Sequence, residues 1–156
     1  EYMEGRVRSM EAERVFYHGR VGQKELAEAH LDAMVWGYPT NFSETFCITA
    51  VEAQAAGCVP VTSKLAALAE TVYLGENSEE RTAREPLLLL PPRNKEPRYQ
   101  TKFLELVAQH LNAWEFGGLI PGLALEAREW GLQQTWARVA REWEADFKNL
   151  VEEKKS

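Results

Sequence analysis

The chain is predicted to adopt an α/β fold, a parallel sheet with flanking helices, and three observations predict it. Short apolar runs at Val15, Val35, Val59 and Leu87 alternate with segments of helical spacing. The runs stop at Gly19, Pro39 or Pro91, or run into polar residues. The first helical segments between them have the length of a βαβ crossover, not of a hairpin loop.

Taken in order, Arg14 to His18 reads as a first strand ending at Gly19. Gln23 to Ala33 reads as a helix with Leu26, Ala27, His30 and Leu31 on one face. Met34 to Tyr38 is a second strand, stopped by Pro39, which cannot donate to a ladder. Phe46 to Ala56 is a helix of small residues that ends at Gly57, a favourable residue for a left-handed cap. Val59 to Thr62 is a third strand, Leu65 to Glu70 a short helical turn, and the polar stretch from Gly75 to Glu85 a surface loop. Leu87 to Leu90 is a fourth strand, closed by Pro91 and Pro92. From Arg98 onward the chain is helical. Phe103, Leu104, Val107, Ala108 and Leu111 keep helical spacing, as do Trp136, Val139, Trp143, Phe147 and Leu150, which the pattern assigns to core packing.

The 156 residues amount to one domain, long enough for a single hydrophobic core. Hydrophobic residues make up 45% and charged residues 27%, a folded rather than a disordered composition. A net charge of −6 argues against a nucleic-acid or anionic-membrane surface. No run of about 18 apolar residues is present to span a bilayer, and the start is not a signal peptide. A chain opening at Glu1 reads as a fragment or as trimmed of its leader. Cys47 and Cys58 stand apart from metal-ligand spacing and read as reduced, buried thiols of a cytoplasmic protein. His30 and His110 read as packing or surface residues and His18 as structural or solvated.

In open parallel sheets ligands bind beyond the carboxyl ends of the strands. That directs attention to the run from Tyr38 to Gly57, with Glu44 in the loop after a strand and Glu52 inside the next helix. With 22 glutamates in the chain, the spacing by itself carries no weight; its setting does. The amides of Phe46, Cys47, Ile48 and Thr49 head a helix whose dipole suits a diphosphate. One carboxylate before the helix and one two turns inside it are on the order of 12 Å apart, the scale separating sugar from ribose across a diphosphate. Read from these residues alone, a plain amphipathic helix with two solvated glutamates is the favoured description.

The run from Val15 to Val72 resembles the donor half of the retaining glycosyltransferases of group 1. The resemblance rests on Phe16-Tyr17-His18-Gly19-Arg20-Val21, Glu25-Leu26-Ala27, Tyr38-Pro39, the pair Glu44 and Glu52, Ala55-Ala56-Gly57-Cys58-Val59-Pro60-Val61-Thr62, and Ala67-Leu68-Ala69-Glu70-Thr71-Val72. Trp136 to Trp143 is similar to that family's closing helix, here 133–152. The resemblance implies that residues 1–156 are one donor-binding domain, Rossmann-like, the C-terminal half of a two-domain GT-B fold truncated at its N-terminus. It implies transfer of a glycosyl unit from a nucleoside-diphosphate sugar with retention of configuration, without metal or cofactor. Glu44 is then the catalytic-site carboxylate on the transferred sugar. Phe46, Cys47, Ile48 and Thr49 line the sugar and diphosphate, Glu52 takes the ribose hydroxyls, and Gly19, Arg20 and Val21 form part of the base pocket.

The chain departs from the family in two respects. Cys47 stands where the family commonly has glycine, so a side chain there is expected to crowd the sugar or alter donor choice. The basic residues that neutralise the diphosphate, the first two strands and the acceptor-binding domain would precede Glu1. The strands at Val15 and Val35 would then border a gap, which predicts association of copies through an exposed edge or the closing helix. A non-catalytic nucleotide-sugar-binding or regulatory module with the same fold is the alternative. An epimerase or phosphorylase is disfavoured by the Glu44–Glu52 setting and the lack of a pyridoxal-type lysine motif.

Overall fold

The computed structural model describes residues 2–92, 95–116 and 118–154. Helix α1 (Tyr2–Arg8) and a 3-10 turn (Glu11–Glu13) lead to α2 (Gln23–Asp32). Strand β1 (Val35–Tyr38), α3 (Ile48–Ala56), β2 (Val59–Ser63) and α4 (Leu68–Thr71) follow, then α5 (Ser78–Leu88) and β3 (Leu89–Leu90). Three helices close the chain: α6 (Tyr99–Phe116), α7 (Leu119–Gln133) and α8 (Trp136–Glu153). The sheet has the order β1-β2-β3 with both pairings parallel, so the predicted α/β class with a parallel sheet and flanking helices is what the chain forms. Val35 pairs with Val59 and Tyr38 with Thr62; Thr62 and Ser63 pair in turn with Leu89 and Leu90.

Every residue of β2 is buried, as a central parallel strand covered on both faces requires. Val59, Val72, Leu74, Leu88 and Leu89 pack with Ile120, Leu123, Ala124 and Ala127 of α7. Val61, Leu90, Tyr99 and Leu106 form a second cluster under α6. Helix α3 packs against both α2 and α7. The α7 contact is close because Gly131 has no side chain: a Cβ there would stand 2.8 Å from the Ala55 nitrogen. Cys58 is fully buried and its thiol donates to the His30 carbonyl at 3.1 Å, tying the end of α2 to the start of β2. Both cysteines are free and buried, as expected.

Four sequence-derived elements need correction. Arg14 to His18 is not a strand: Arg14 is left-handed (φ 63°), and Val15, Phe16 and Tyr17 are exposed. An extended segment becomes a strand only through a ladder, and β1 pairs with β2 alone among the described residues. The stretch from Gly75 to Glu85 is largely helix, not loop. Asn77 caps α5 by accepting from the Glu80 amide at 2.9 Å, while Glu80 accepts from the Glu76 amide at 2.8 Å. Helix α5 then runs to Leu88, which shortens the expected Leu87–Leu90 strand to two residues. Finally, α8 has no buried residue; Trp136 is 79% exposed and Trp143 62%. Its helical spacing is real, but among the described residues no other element buries the stripe. His30 and His110, read as packing or surface, are both buried.

Candidate functional site

The site is built where β1 ends and α3 begins. Thr62 Oγ1 donates to the Tyr38 carbonyl at 2.7 Å, and Ser63 Oγ donates to the Thr40 carbonyl, so the exit of β1 is held by side chains at the end of β2. Thr40 Oγ1 accepts from the Phe42 amide at 3.0 Å, turning the chain after Pro39. The loop then carries Glu44, partly buried, whose side chain accepts from the Tyr38 hydroxyl at 2.8 Å and whose carbonyl accepts from the Ala67 amide at 3.3 Å.

Helix α3 begins at Ile48, two residues later than expected, because Cys47 at its N-cap is left-handed (φ 61°, ψ 69°). No side chain caps this end, so the amides of Ile48 and Thr49 are left without a side-chain acceptor, while that of Ala50 donates to the Cys47 carbonyl at 3.0 Å. Phe46 and Ile48 are half exposed on either side of Cys47. The Cys47 side chain itself turns inward, against Ala50 and Leu68 with Trp36 and Tyr38 beside them, its sulfur 3.6 Å from Thr49 Oγ1. The positive φ gives the physical reason a glycine suits this position. The Cys47 side chain packs into this cluster, on the inner side of the loop that leads into α3.

Between α2 and α3 lies a groove of about 500 Å³. Ile48, Thr49 and Glu52 line it from α3, and Gln23, Leu26, Ala27, His30 and Leu31 form the facing wall. Glu52 is exposed there, an acceptor set against apolar walls. The structure thus brings Ile48, Thr49 and Glu52 into one cavity and places Glu44, Phe46 and Cys47 at the loop leading into α3. Gly19, Arg20 and Val21 are exposed in irregular chain just before α2 and do not line this groove. Gly19 has φ +67°, a turn that other residues rarely make. The α2 wall and Tyr38 are the site residues that reading the sequence passed over. The signal for the wall was present, since Leu26, Ala27, His30 and Leu31 repeat at helical spacing.

The profile of the family described as Glycosyl transferases group 1 matches residues 2–80, more than half of the chain. The chain belongs to the group 1 glycosyl transferases. No curated protein and no solved structure matches it. The matched segment of this glycosyl transferase runs from α1 into the start of α5, so it contains β1, the Glu44 loop, α3 and both walls of the groove. No helix among the described residues of the glycosyl transferase is long and apolar enough to cross a membrane.

Proposed function

We propose that this group 1 glycosyl transferase chain is a Rossmann-like donor domain of GT-B type, which binds a nucleoside-diphosphate sugar for retaining transfer to an acceptor held elsewhere. One observation carries the reading: the uncapped start of α3 stands at the carboxyl end of β1, with Glu44 just before it and Glu52 in the groove beside it. Anions favour such a helix start, where free amides and the dipole act together. The diphosphate takes the amides around Phe46 to Thr49, Glu52 accepts from the ribose hydroxyls, and Glu44 accepts from hydroxyls of the transferred sugar. The base lies toward the chain at Gly19, Arg20 and Val21.

Among the described residues, no lysine or arginine lines the groove. Stabilising a departing diphosphate needs positioned positive charge, and each lost contact costs several kcal/mol of barrier. This favours a second reading of the isolated chain as a binding module, with turnover requiring basic groups and an acceptor site supplied from outside the groove. Both readings need the nucleotide. Calorimetry with UDP, GDP, ADP and dTDP tests them: binding of at least one is expected, and binding of none contradicts both. Mass spectrometry then tests what both readings require, that turnover needs groups beyond the groove: the chain alone is expected to form no glycosylated product, and product formed by it contradicts that requirement.

A further inference from the structure

We infer that Tyr38 is a positioning residue for Glu44: its phenol donates to Oε1 of the carboxylate at 2.8 Å and leaves Oε2 to accept from the hydroxyls of a bound sugar. The inference rests on the donor-site reading above. An ionised carboxylate only accepts hydrogen bonds, so its orientation is set by whichever donors reach it. Among the described residues no lysine or arginine pairs with Glu44, and Tyr38 is its side-chain donor. The donor is firmly held. Tyr38 closes β1, pairs with Thr62 of β2, and has its carbonyl bonded by the Thr62 hydroxyl at 2.7 Å. Its ring lies 5.3 Å from that of Trp36 at 42° and rests on the Cys47, Ala50 and Leu68 cluster. Glu44, by contrast, belongs to a loop, and its main chain is tied across to Ala67 at 3.3 Å. A strand residue thereby lends its rigidity to a loop carboxylate, as a preorganised site requires.

The phenol stays protonated and able to donate. The Thr40 hydroxyl favours its ionised form, but the bond to Glu44, burial and the Glu44 charge outweigh this and push the Tyr38 pKa above the usual tyrosine value. Packing of the ring explains why an aromatic stands here; it does not explain the hydroxyl, which phenylalanine would lack without disturbing the cluster.

The test compares affinities of the full chain for UDP, GDP, ADP and dTDP with those for their glucose, galactose, mannose and N-acetylglucosamine conjugates. The ratio measures what the sugar adds. Y38F is expected to bind the free diphosphate as wild type does while losing about tenfold of the sugar's contribution, the scale of one hydrogen bond to a charged group. Glu44→Ala should lose that contribution, and Y38F added to it should cost nothing more. A purely structural Tyr38 would instead weaken free-nucleotide binding and add its cost to that of Glu44→Ala. Full retention of the sugar's contribution in Y38F overturns the inference. Binding of diphosphates with no gain from any sugar overturns the role of Glu44 and, with it, that of Tyr38. Absence of any nucleotide binding by wild type overturns the donor-site reading itself.

Discussion

Gln54 and Tyr73 are joined in the core: the Tyr73 amide donates to Gln54 Oε1 at 2.8 Å. Gln54, fully buried, also donates through Nε2 to the carbonyls of Ala50 and Thr71 at 2.8 and 2.7 Å. One side chain therefore does for α3 and the segment after α4 what a strand ladder does elsewhere, and it fixes the helix on which Glu52 stands.

Gln54→Leu removes those partners and leaves the Thr71 carbonyl and the Tyr73 amide unpaired in the core. Each buried orphan costs about 1–3 kcal/mol, so we expect a loss of roughly 2–6 kcal/mol. Urea denaturation measures it; an unchanged midpoint contradicts the role assigned to Gln54.

Stability should also depend on pH through His110. This residue is buried, and its Nε2 donates to the Leu87 carbonyl at 2.7 Å. Burial pushes its pKa below the usual 6.5, partly offset by the bond to Leu87. A lowered folded value means that the unfolded chain takes up the proton first. The contribution is therefore complete above pH 6.5 and is lost as pH falls through the lowered folded value. Thermal melts from neutral pH downward should show a decline that is shallower in His110→Gln, whose amide can keep the bond to Leu87. Identical slopes in the two proteins would contradict this.

The strands at Val35 and Val59 and the helices at Gln23, Ile48 and Tyr99 were legible because apolar residues recur there at strand or helix spacing between glycine and proline breaks. Arg14 to His18 shows the limit. Its composition suits a strand, but a strand is a pairing and composition does not supply the partner. Helix α5 was obscured by the opposite effect: about half of it is exposed and one of its two buried residues is Arg84, so the apolar signal is weak, and Asn77 followed by Glu80 was the available sign of a cap. At α8 the spacing identified a helix and mistook an uncovered stripe for a core. At the site, the positions of Glu44 and Glu52 followed from motif and register. The groove wall on α2 and the bond from Tyr38 are tertiary contacts that no local pattern states.

Cys47 provides a backbone test. A left-handed conformation costs a residue with a Cβ about 1–2 kcal/mol, and a β-branched side chain more. Cys47→Val should therefore destabilise by about 2 kcal/mol or more. Cys47→Gly should stay within about 1 kcal/mol of wild type, as relief of strain offsets lost packing. Since the side chain points inward, Cys47→Gly should leave nucleotide affinity unchanged. Greater stability of the valine variant would refute the assignment.

Exposed apolar surface on α8 is the basis of a fourth prediction. Trp136, Trp143, Phe147 and Leu150 are each more than half exposed, and such patches favour association. Strand β1 adds a free edge, bordered by β2 on one side only among the described residues. We expect sedimentation to show association that grows with concentration and falls in Trp143→Glu. A compact monomer at high micromolar concentration, with slow amide exchange along β1, would exclude it.

The most direct measurement of the central claim is calorimetric binding of the nucleoside diphosphate panel to wild type, Glu52→Ala and Glu44→Ala. The account predicts that wild type binds a diphosphate, that Glu52→Ala weakens this binding because the ribose hydroxyls lose their acceptor, and that Glu44→Ala spares the free diphosphate while weakening its sugar conjugate. Equal affinity of wild type and Glu52→Ala for every nucleotide tested would contradict it.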